Sequence, residues 1–373
     1  MAPLIRRLAA DPRFEARVCA TAQHRQMLDQ ALSLFEIEPD YDLDVMAPGQ
    51  DLSAVTSKVL LGLRPVLRDA RPDVVLVHGD TTTCLGASMA AFYAGVPVGH
   101  VEAGLRSGDL QAPFPEEFNR IVTDRITRWH FAPTPGARAN LLAEGCDPAR
   151  VHVTGNTVID ALLWTRDRTL ARRGRNYEEQ LGPQIAAFAD HWRGKLVLVT
   201  GHRRENFGRP FELLCRAIRD CAHRHEDWLF VYPVHLNPNV QRPVREILSD
   251  TPNVLLCPPL DYEPFVWLMD RCDIVLTDSG GVQEEAPALG KPVLVMRDVT
   301  ERPEGIEAGT ARLVGTDPRR IVASLEELLC DELAYFRMAK ARNPYGDGLA
   351  SERILRHLAN EVAGEQGTLA ASA

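Results

Sequence analysis

The sequence of 373 residues lacks several patterns that would place it in a class of protein at once. None of its apolar runs approaches the roughly 18 residues of a membrane-spanning helix, and no secretory signal precedes the predicted fold. A net charge of -9 argues against a general binder of nucleic acids or anionic membranes. We therefore expect a cytoplasmic protein with neither a nucleic acid nor a membrane as its partner, in which an anionic ligand meets a local basic patch.

Signatures of redox and metal cofactors are also missing. The eight cysteines form no Cys-x-x-Cys pair and have no zinc-like spacing to histidine, which favours buried thiols in a reducing compartment. No predicted strand is followed by Gly-x-Gly-x-x-Gly or by Gly-x-x-x-x-Gly-Lys-Ser/Thr. Histidines at strand ends, such as His78 and His100, stand on separate strands rather than in a spaced ligand set. We predict no nicotinamide, flavin or metal cofactor.

The sequence does contain a regular alternation of short apolar segments and helical patterns. This alternation predicts an α/β fold with two Rossmann-like, doubly wound parallel-sheet domains that face each other across a cleft. We place the first domain at 1–165 and the second at 166–349, followed by a last amphipathic helix at 350–363. The predicted strands are 16–20, 73–77, 96–101, 128–132 and 151–154 in the first half, and 195–200, 228–233, 253–257, 273–277, 292–296 and 311–314 in the second.

Acidic side chains follow the predicted strands of the first half, where open parallel sheets bind their ligands. Asp80 and Glu102 follow successive strands, and Glu116 comes from a later loop. Carboxylates clustered in a cleft raise each other's pKa and suit general acid and base chemistry, including proton removal from carbon. Each could instead serve a helix, Asp80 as an N-cap and Glu116 in a first turn. Taken singly these residues favour capping, and taken together they favour a site.

The second half offers groups suited to a diphosphate. His202 and Arg203 form an abrupt cationic pair after one strand, where they could bind an anion or pair with Glu205 on the surface. A turn after another strand begins a predicted helix, whose free backbone N–H groups favour an anion. Glu284 and Glu285 follow in that helix, and a carboxylate one turn into it could accept hydrogen bonds from both hydroxyls of a ribose. The turn consists of Ser279, Gly280 and Gly281.

Eleven different motifs are distributed along nearly the whole chain. They are 21–25 (TAQHR), 77–83 (VHGDTTT), 99–106 (GHVEAGLR), 115–120 (PEEFNR), 154–160 (TGNTVID), 200–205 (TGHRRE), 232–238 (YPVHLNP), 278–285 (DSGGVQEE), 296–298 (MRD), 300–304 (TERPE) and 343–348 (NPYGDG). This set resembles the motifs of the non-hydrolysing UDP-N-acetylglucosamine 2-epimerases of bacteria.

The resemblance implies a fold similar to glycosyltransferase type B, with the last helix returning to the first domain, and a homodimer. It implies an enzyme that interconverts UDP-N-acetylglucosamine and UDP-N-acetylmannosamine by inverting C2. UDP would leave by elimination to give a glycal and then add back, with no nicotinamide. The product would feed cell-envelope polysaccharides, and a second UDP-N-acetylglucosamine could act as an allosteric activator.

The resemblance also implies roles for individual residues. Asp80, Glu102 and Glu116 resemble the catalytic carboxylates, with base and acid left unassigned, and His202 resembles the residue beside the UDP phosphates. The implied substrate contacts are Ser279, Gly280 and Gly281 at the diphosphate, Glu285 at the ribose, Phe265 beside uracil, and Arg302. The residues that resemble an allosteric site are Gln23, His24, Arg203 and His235.

One departure concerns the start of the chain. Members of the family begin with an apolar strand and a Gly-Thr-Arg-Pro-Glu-Ala-Ile-Lys loop ahead of the Met-Ala-Pro that stands here at residues 1–3. We therefore expect this first strand and its cationic loop to be missing from residues 1–165. Exposed strand edges and lost cationic ligands would give the 373-residue form weak activity or poor solubility.

Three alternatives stay open at this point. A glycosyltransferase of the same fold would need an acceptor cleft and would not need three acids in its first domain. A hydrolysing relative would release UDP and free N-acetylmannosamine, since only the exclusion of water separates return of UDP from its loss. An inactive sugar-nucleotide-binding protein would bind UDP without exchanging the C2 proton.

Overall fold

The chain divides into two compact units. The computed structural model describes residues 1–23, 25–47, 49–171, 181, 182, 185 and 193–371. The first unit comprises Met1–Ala161 and Tyr345–Ala373, and the second comprises Leu162–Pro344. Within the described ranges, no helix combines the length and apolarity that crossing a membrane requires.

The first unit is built around a parallel sheet in the order β3-β4-β5-β6, with β1 and β2 paired in a separate two-stranded parallel sheet. Its strands are β1 (Cys19–Ala20), β2 (Tyr41–Asp42), β3 (Val75–His78), β4 (Val98–Val101), β5 (Trp129–Ala132) and β6 (Val151–Val153). Its helices are α1 (Ala2–Ala10), α2 (Arg25–Phe35), α3 (Leu52–Ala70), α4 (Thr82–Tyr93), α5 (Glu116–Ile126) and α6 (Pro135–Ala143). The next helix, α7 (Thr157–Ala171), begins in this unit and continues into the second.

The strands of the first unit are shorter than predicted, and one was missed. The sequence gives no apolar run at β2, which has only two residues, of which Tyr41 is partly buried and Asp42 is exposed. In the predicted strand 16–20, β-pairing begins only at Cys19, where the register to Tyr41 starts. Short polar strands of this kind are fixed by their partner rather than by their own hydrophobic pattern.

The second unit has a six-stranded parallel sheet in the order β12-β11-β10-β7-β8-β9. This is the strand order of a dinucleotide-binding Rossmann sheet, in which the chain builds outwards from β7 to one edge and then from β10 to the other, so that the switch point lies between β7 and β10. Its strands are β7 (Lys195–Thr200), β8 (Trp228–Pro233), β9 (Val254–Cys257), β10 (Ile274–Thr277), β11 (Val293–Val295) and β12 (Ala311–Leu313). Its helices are α8 (Arg209–Arg224), α9 (Pro238–Leu248), α10 (Tyr262–Arg271), α11 (Gly280–Ala288), α12 (Pro303–Glu307), α13 (Pro318–Cys330) and α14 (Glu332–Ala339).

Apolar residues cover both faces of this sheet. Phe211 and Ile218 of α8 pack on one face, and Val266 and Leu268 of α10 pack on the other. Parallel strands covered on both faces read as continuous apolar runs, which is why the sequence predicts β7 and β8 with their observed bounds.

The last helix, α15 (Ala350–Ala371), returns to the first unit as predicted. Its Ile354 and Leu358 pack with Leu4 of α1 and Trp129 of β5. The helix extends beyond the predicted end at residue 363. The predicted α/β fold with two Rossmann-like parallel-sheet domains is confirmed.

Candidate active site

Two of the predicted acids lie at the ends of adjacent strands. His78 of β3 pairs in register with Val101 of β4, so Asp80 and Glu102 follow neighbouring strand ends. The first turn of α5 fixes Asp80 from the other side. There, Asn119 Nδ2 donates to the Asp80 carbonyl oxygen at 2.8 Å, and Arg120 Nη2 lies 3.5 Å from its carboxylate.

Asp80 is not the N-cap of the helix that follows it. Thr81 is the N-cap of α4, and its side chain accepts from the backbone N–H of Cys84 at 3.2 Å. The Asp80 carboxylate is therefore left for other chemistry, with 30% of its side chain exposed. Glu116 is the first residue of α5, so both a first-turn role and a site role fit its position.

Glu102 is held in an unusual backbone conformation. Its φ is +66°, a region that residues with a side chain rarely adopt and that costs about 1–2 kcal/mol. Its Oε2 lies 3.1 Å from Nε2 of His78, whose pKa is lowered chiefly by burial. The strained turn directs a partly buried carboxylate towards the end of β3, which is the behaviour expected at functional sites.

The environment of Asp80 favours a carboxyl that can hold a proton. Burial raises its pKa, and the nearby carboxylates of Glu102 and Glu116 raise it further. The guanidinium of Arg120 and the ring of His100 act in the opposite direction. Acids with raised pKa values next to further carboxylates are suited to proton transfer near neutral pH.

In the second unit, Asp278 ties together the loops after β7 and β10, at the point where the strand order reverses. Its fully buried carboxylate accepts from the backbone N–H groups of His202 and Arg203, at 2.9 Å each. The ring of His202 stacks on His235 with centroids 5.4 Å apart. Partial burial lowers the pKa of His202 and Asp278 opposes this, while His235 and Arg203 lower it further.

The turn after β10 begins α11 as predicted. Ser279 is the N-cap, and its side chain makes no capping bond, so the first N–H groups of the helix receive no partner from it. A Cβ added to Gly281 would meet no atom within 4 Å, and one added to Gly280 would lie 3.6 Å from Arg203 Nη2. A helix N-terminus with open space above it and an arginine beside it has the chemistry of an anion site.

Two glutamates follow in α11. Glu285 accepts from the hydroxyl of Tyr262 at 2.6 Å, and burial raises its pKa to about 7. Glu284 pairs with Nε of Arg302. Arg302 therefore lies at this helix, next to the predicted ribose ligand.

Arg203 does not form the surface ion pair with Glu205 that the sequence allowed as an alternative. Glu205 pairs with the buried Arg297, 2.6 Å from its Nε, and Arg203 approaches Glu301 at 3.8 Å. These contacts join the loop after β7 to the loop before α12.

The remaining predicted residues have the following positions. Phe265 is in α10, partly buried against the core that holds Val266. Gln23 accepts from the Thr83 hydroxyl at 2.8 Å in the first unit, and His24 lies outside the described residues.

Sequence reasoning missed several residues of these two clusters. Arg120 and Asn119 lie within one of the motifs but have no predicted role. Glu117, which forms an acidic pair with Glu116 in the sequence, accepts from the N–H groups of Ser107 and Gly108. The spacing of Arg120 and Asn119 to Asp80 is long in sequence, so no local pattern signals the contact. Tyr262 likewise gives no signal, because 23 residues separate it from Glu285.

These two Rossmann-like units define an α/β protein whose fold is similar to glycosyltransferase type B. A structural likeness to α,α-trehalose 6-phosphate synthase from Burkholderia multivorans, with 13% identity and a TM-score of 0.55 over 85% of this chain and 76% of that one, shows the fold alone. A family model described as UDP-N-acetylglucosamine 2-epimerase matches residues 6–359, and the chain belongs to that family.

Two of the similar proteins show the extent of the match. The UDP-N-acetylglucosamine 2-epimerase of Escherichia coli K12 is 58% identical over 363 residues, which cover 96% of this chain and 95% of that protein. The crystal structure of the UDP-GlcNAc 2-epimerase from Neisseria meningitidis bound to UDP-GlcNAc is 48% identical, has a TM-score of 0.85, and is matched over 96% of this chain and 95% of that one.

Proposed function

We propose that this protein interconverts UDP-N-acetylglucosamine and UDP-N-acetylmannosamine by inverting C2, without net hydrolysis. The observation that carries the proposal is the set of carboxylates at the ends of β3 and β4, in which burial and neighbouring acids raise the pKa of Asp80. Membership of the family, and a relative whose structure is bound to UDP-GlcNAc, support the substrate.

The second unit is assigned to the UDP part of the substrate. The N–H groups at the start of α11 suit the diphosphate, and the buried Glu285 suits the ribose hydroxyls. Phe265 is assigned to the uracil and Arg302 to a further contact.

The first unit is assigned to proton transfer. A carboxylate removes the proton from C2 while the bond from C1 to the diphosphate oxygen breaks, and the electron pair of that bond leaves with UDP. The glycal so formed has a C1–C2 double bond. UDP then adds back to C1, and a second acid delivers a proton to the other face of C2. Asp80, Glu102 and Glu116 share these roles, with the base and the acid unassigned among them.

His202 is assigned to the leaving group. In the free protein its pKa is lowered, chiefly by partial burial. A bound diphosphate would raise that pKa, because an anion stabilises the imidazolium. The ring would then carry a positive charge beside the phosphates when UDP leaves and when it returns.

Further assignments complete the proposal. UDP-N-acetylglucosamine would also bind as an activator at Gln23, His24, Arg203 and His235. The chain would act as a cytoplasmic homodimer, and exposed apolar side chains of α3 and α4, namely Leu61, Phe92 and Tyr93, support a partner surface. The product would serve cell-envelope polysaccharides.

Proton NMR of UDP-N-acetylglucosamine with this protein in deuterated water tests the proposal. We expect deuterium at C2 together with UDP-N-acetylmannosamine. Asp80→Asn should slow exchange by about 10²–10⁴-fold with UDP binding retained, since a positioned acid or base contributes about that factor. Asp227→Asn, at an exposed position, is the matched control and should exchange like the wild type.

Other outcomes identify the alternatives. Accumulation of UDP and free N-acetylmannosamine would indicate a hydrolysing enzyme. Tight UDP binding without exchange at C2 would indicate a binding protein or a glycosyltransferase, and would refute the epimerase.

A further inference from the structure

A histidine with no exposed surface lies directly behind the proposed catalytic acids. His100 is in β4, and both of its ring nitrogens contact oxygen atoms. Nδ1 lies 2.6 Å from Oδ1 of Asp124, and Nε2 lies 2.7 Å from the carbonyl oxygen of Gly79. Gly79 directly precedes Asp80 in the chain, so the ring holds the turn that presents this acid.

The two contacts fix the protonation of the ring. A carbonyl oxygen can only accept, so Nε2 must carry a proton to bond with Gly79. Asp124 is also an acceptor when ionised, and its other oxygen accepts from Arg106 Nη2 at 2.8 Å and from the N–H of Gly104 at 3.3 Å. With Asp124 ionised, both ring nitrogens of His100 donate, and the ring is an imidazolium.

Asp124 connects His100 to the turn that carries Glu102. The carboxylate of Asp124 accepts from the N–H of Gly104, two residues after Glu102, and so holds that turn. Arg106 is paired in turn with Glu144, at 2.7 Å from its Nε. The positive ring and Arg106 face Asp124 and the partly exposed Glu144, and Glu144 also lies 4.0 Å from Arg125. Opposite charges therefore accompany each buried charge, which makes an ionised group tolerable in the interior.

Every neighbouring element contributes a titratable or charged group near the ring. These are His78 of β3, Asp80 after β3, Glu102 and Arg106 after β4, Cys84 of α4, Asp124 of α5 and His130 of β5. Burial alone would lower the pKa of His100, but Asp124 and then Cys84 outweigh it and raise that pKa well above its ordinary value. The positive ring in turn lowers the pKa of Asp80.

We propose that His100 is a permanently charged positioning residue. Its imidazolium holds the turns of Asp80 and Glu102 in place and supplies a positive charge close to the carboxyl group of Asp80. This inference rests on the proposed function for its catalytic part. The protonation of the ring is independent of that function and can be measured alone.

The ring is tested first by ¹H–¹⁵N correlation NMR of the full-length protein labelled at histidine. We expect His100 to show two protonated nitrogens from about pH 6 to about pH 9, a range in which an ordinary histidine becomes neutral. His100→Gln assigns the signal, and His223→Gln, at an exposed position of α8, is the matched control. A ring with a single proton at pH 7 overturns the proposal.

Catalysis is tested with His100→Gln and Asp124→Asn, the second of which keeps the shape of Asp124 but removes its charge. In both variants kcat for epimerisation should fall by about 10²-fold with KM changed by less than about threefold. The limb of the pH–rate profile that reports Asp80 should move to higher pH, because loss of the ring charge raises the pKa of this acid.

A purely structural role would give a different result. It would lower stability and the amount of active enzyme in both variants while leaving the pH profile in place, and this outcome overturns the proposal. Absence of epimerisation by the wild type would refute the proposed function and the catalytic part together. The NMR result would still decide whether the ring is charged.

Discussion

At the scale of single residues, burial has changed what several acids can do. Glu285 is the clearest case, since desolvation raises its pKa from 4.5 to about 7 although Tyr262 donates to it. The carboxyl is buried where a charge is unfavourable. A ligand that forms hydrogen bonds with it would replace the lost hydration. Glu102, with its φ of +66°, likewise occupies a conformation that packing alone would not select.

Glu285→Gln should stabilise the second unit at alkaline pH. The unfolded carboxyl loses its proton near pH 4.5 and the folded one near pH 7, so between these values the folded state binds more protons. The wild type therefore loses stability as pH rises through this window, by on the order of 3 kcal/mol, and the loss is complete above it. Urea unfolding of both proteins at pH 5 and pH 8 measures the difference.

Glu226→Gln, at an exposed position, is the control for the same charge change. The stability difference between Glu285→Gln and wild type should grow from pH 5 to pH 8, whereas that of the control should stay constant. Parallel curves for all three proteins would contradict the raised pKa.

At the scale of elements, the turn after β4 depends on one glycine. Gly104 has a φ of +85°, and a Cβ at this position would lie 2.3 Å from the carbonyl oxygen of Ala137 and 2.8 Å from Leu141. Gly108 has a similar φ of +78°, but a Cβ there would meet nothing within 4 Å. Comparing substitutions at Gly104 and Gly108 therefore separates the free-energy cost of a positive φ from that of the steric contact with α6.

Gly104→Ala should therefore destabilise the first unit by about 3 kcal/mol or more, since it adds overpacking against α6 to the strain of a positive φ. Gly108→Ala should lose only about 1–2 kcal/mol. Thermal unfolding of both variants gives the comparison. Equal losses would mean that the contact with α6 is relieved without cost.

The return of the last helix depends on a buried cap. Asp160 of α7 accepts from the backbone N–H groups of Ala350 and Ser351, at 3.2 and 2.8 Å, where α15 begins. These donors have no intrahelical partners, so the carboxylate satisfies them and complements the helix dipole.

Asp160→Ala should cost about 2–3 kcal/mol and speed amide exchange in the first turn of α15, because the buried donors lose their acceptor. Asp317→Ala removes an exposed cap of α13 and should cost about 1 kcal/mol. Hydrogen exchange and denaturant unfolding measure both. Unchanged exchange in α15 of the first variant would argue against the cap.

At the scale of the whole molecule, the two units have separate cores. Leu4 and Ile354 belong to a core of the first unit, while Phe211 and Val266 belong to cores of the second. Each unit can therefore respond by itself to a ligand, and a single free energy of unfolding need not describe the chain.

UDP should protect the second unit from hydrogen exchange. If α11 and the loop after β7 bind the nucleotide, saturating UDP should slow exchange in 201–206 and 278–285, by up to about 100-fold at 100 times Kd. Residues 78–84 of the first unit should change little, since UDP lacks the N-acetylhexosamine on which the acids of this unit are proposed to act. Uridine, without the diphosphate, is the control ligand. Protection confined to the first unit would contradict the assignment of UDP to the second.

Much of this organisation could be predicted from local patterns. Strands such as β7 and β8 are continuous apolar runs, and hydrophobic periodicity depends only on neighbouring residues. The motifs also predicted the family, which the comparison with known proteins confirmed. Strand β2 was beyond prediction because its two residues carry no such pattern.

The alternation of strands and helices, the family, and the polar residues that follow the strands can all be predicted from the sequence, because each depends on a short segment of it. The partners of those polar residues depend on the tertiary structure. Asp124 reaches His100 across 24 residues, and Tyr262 reaches Glu285 across 23. The pKa values of Asp80 and Glu285 were likewise decided by burial and by neighbours brought from other elements, which no local pattern records.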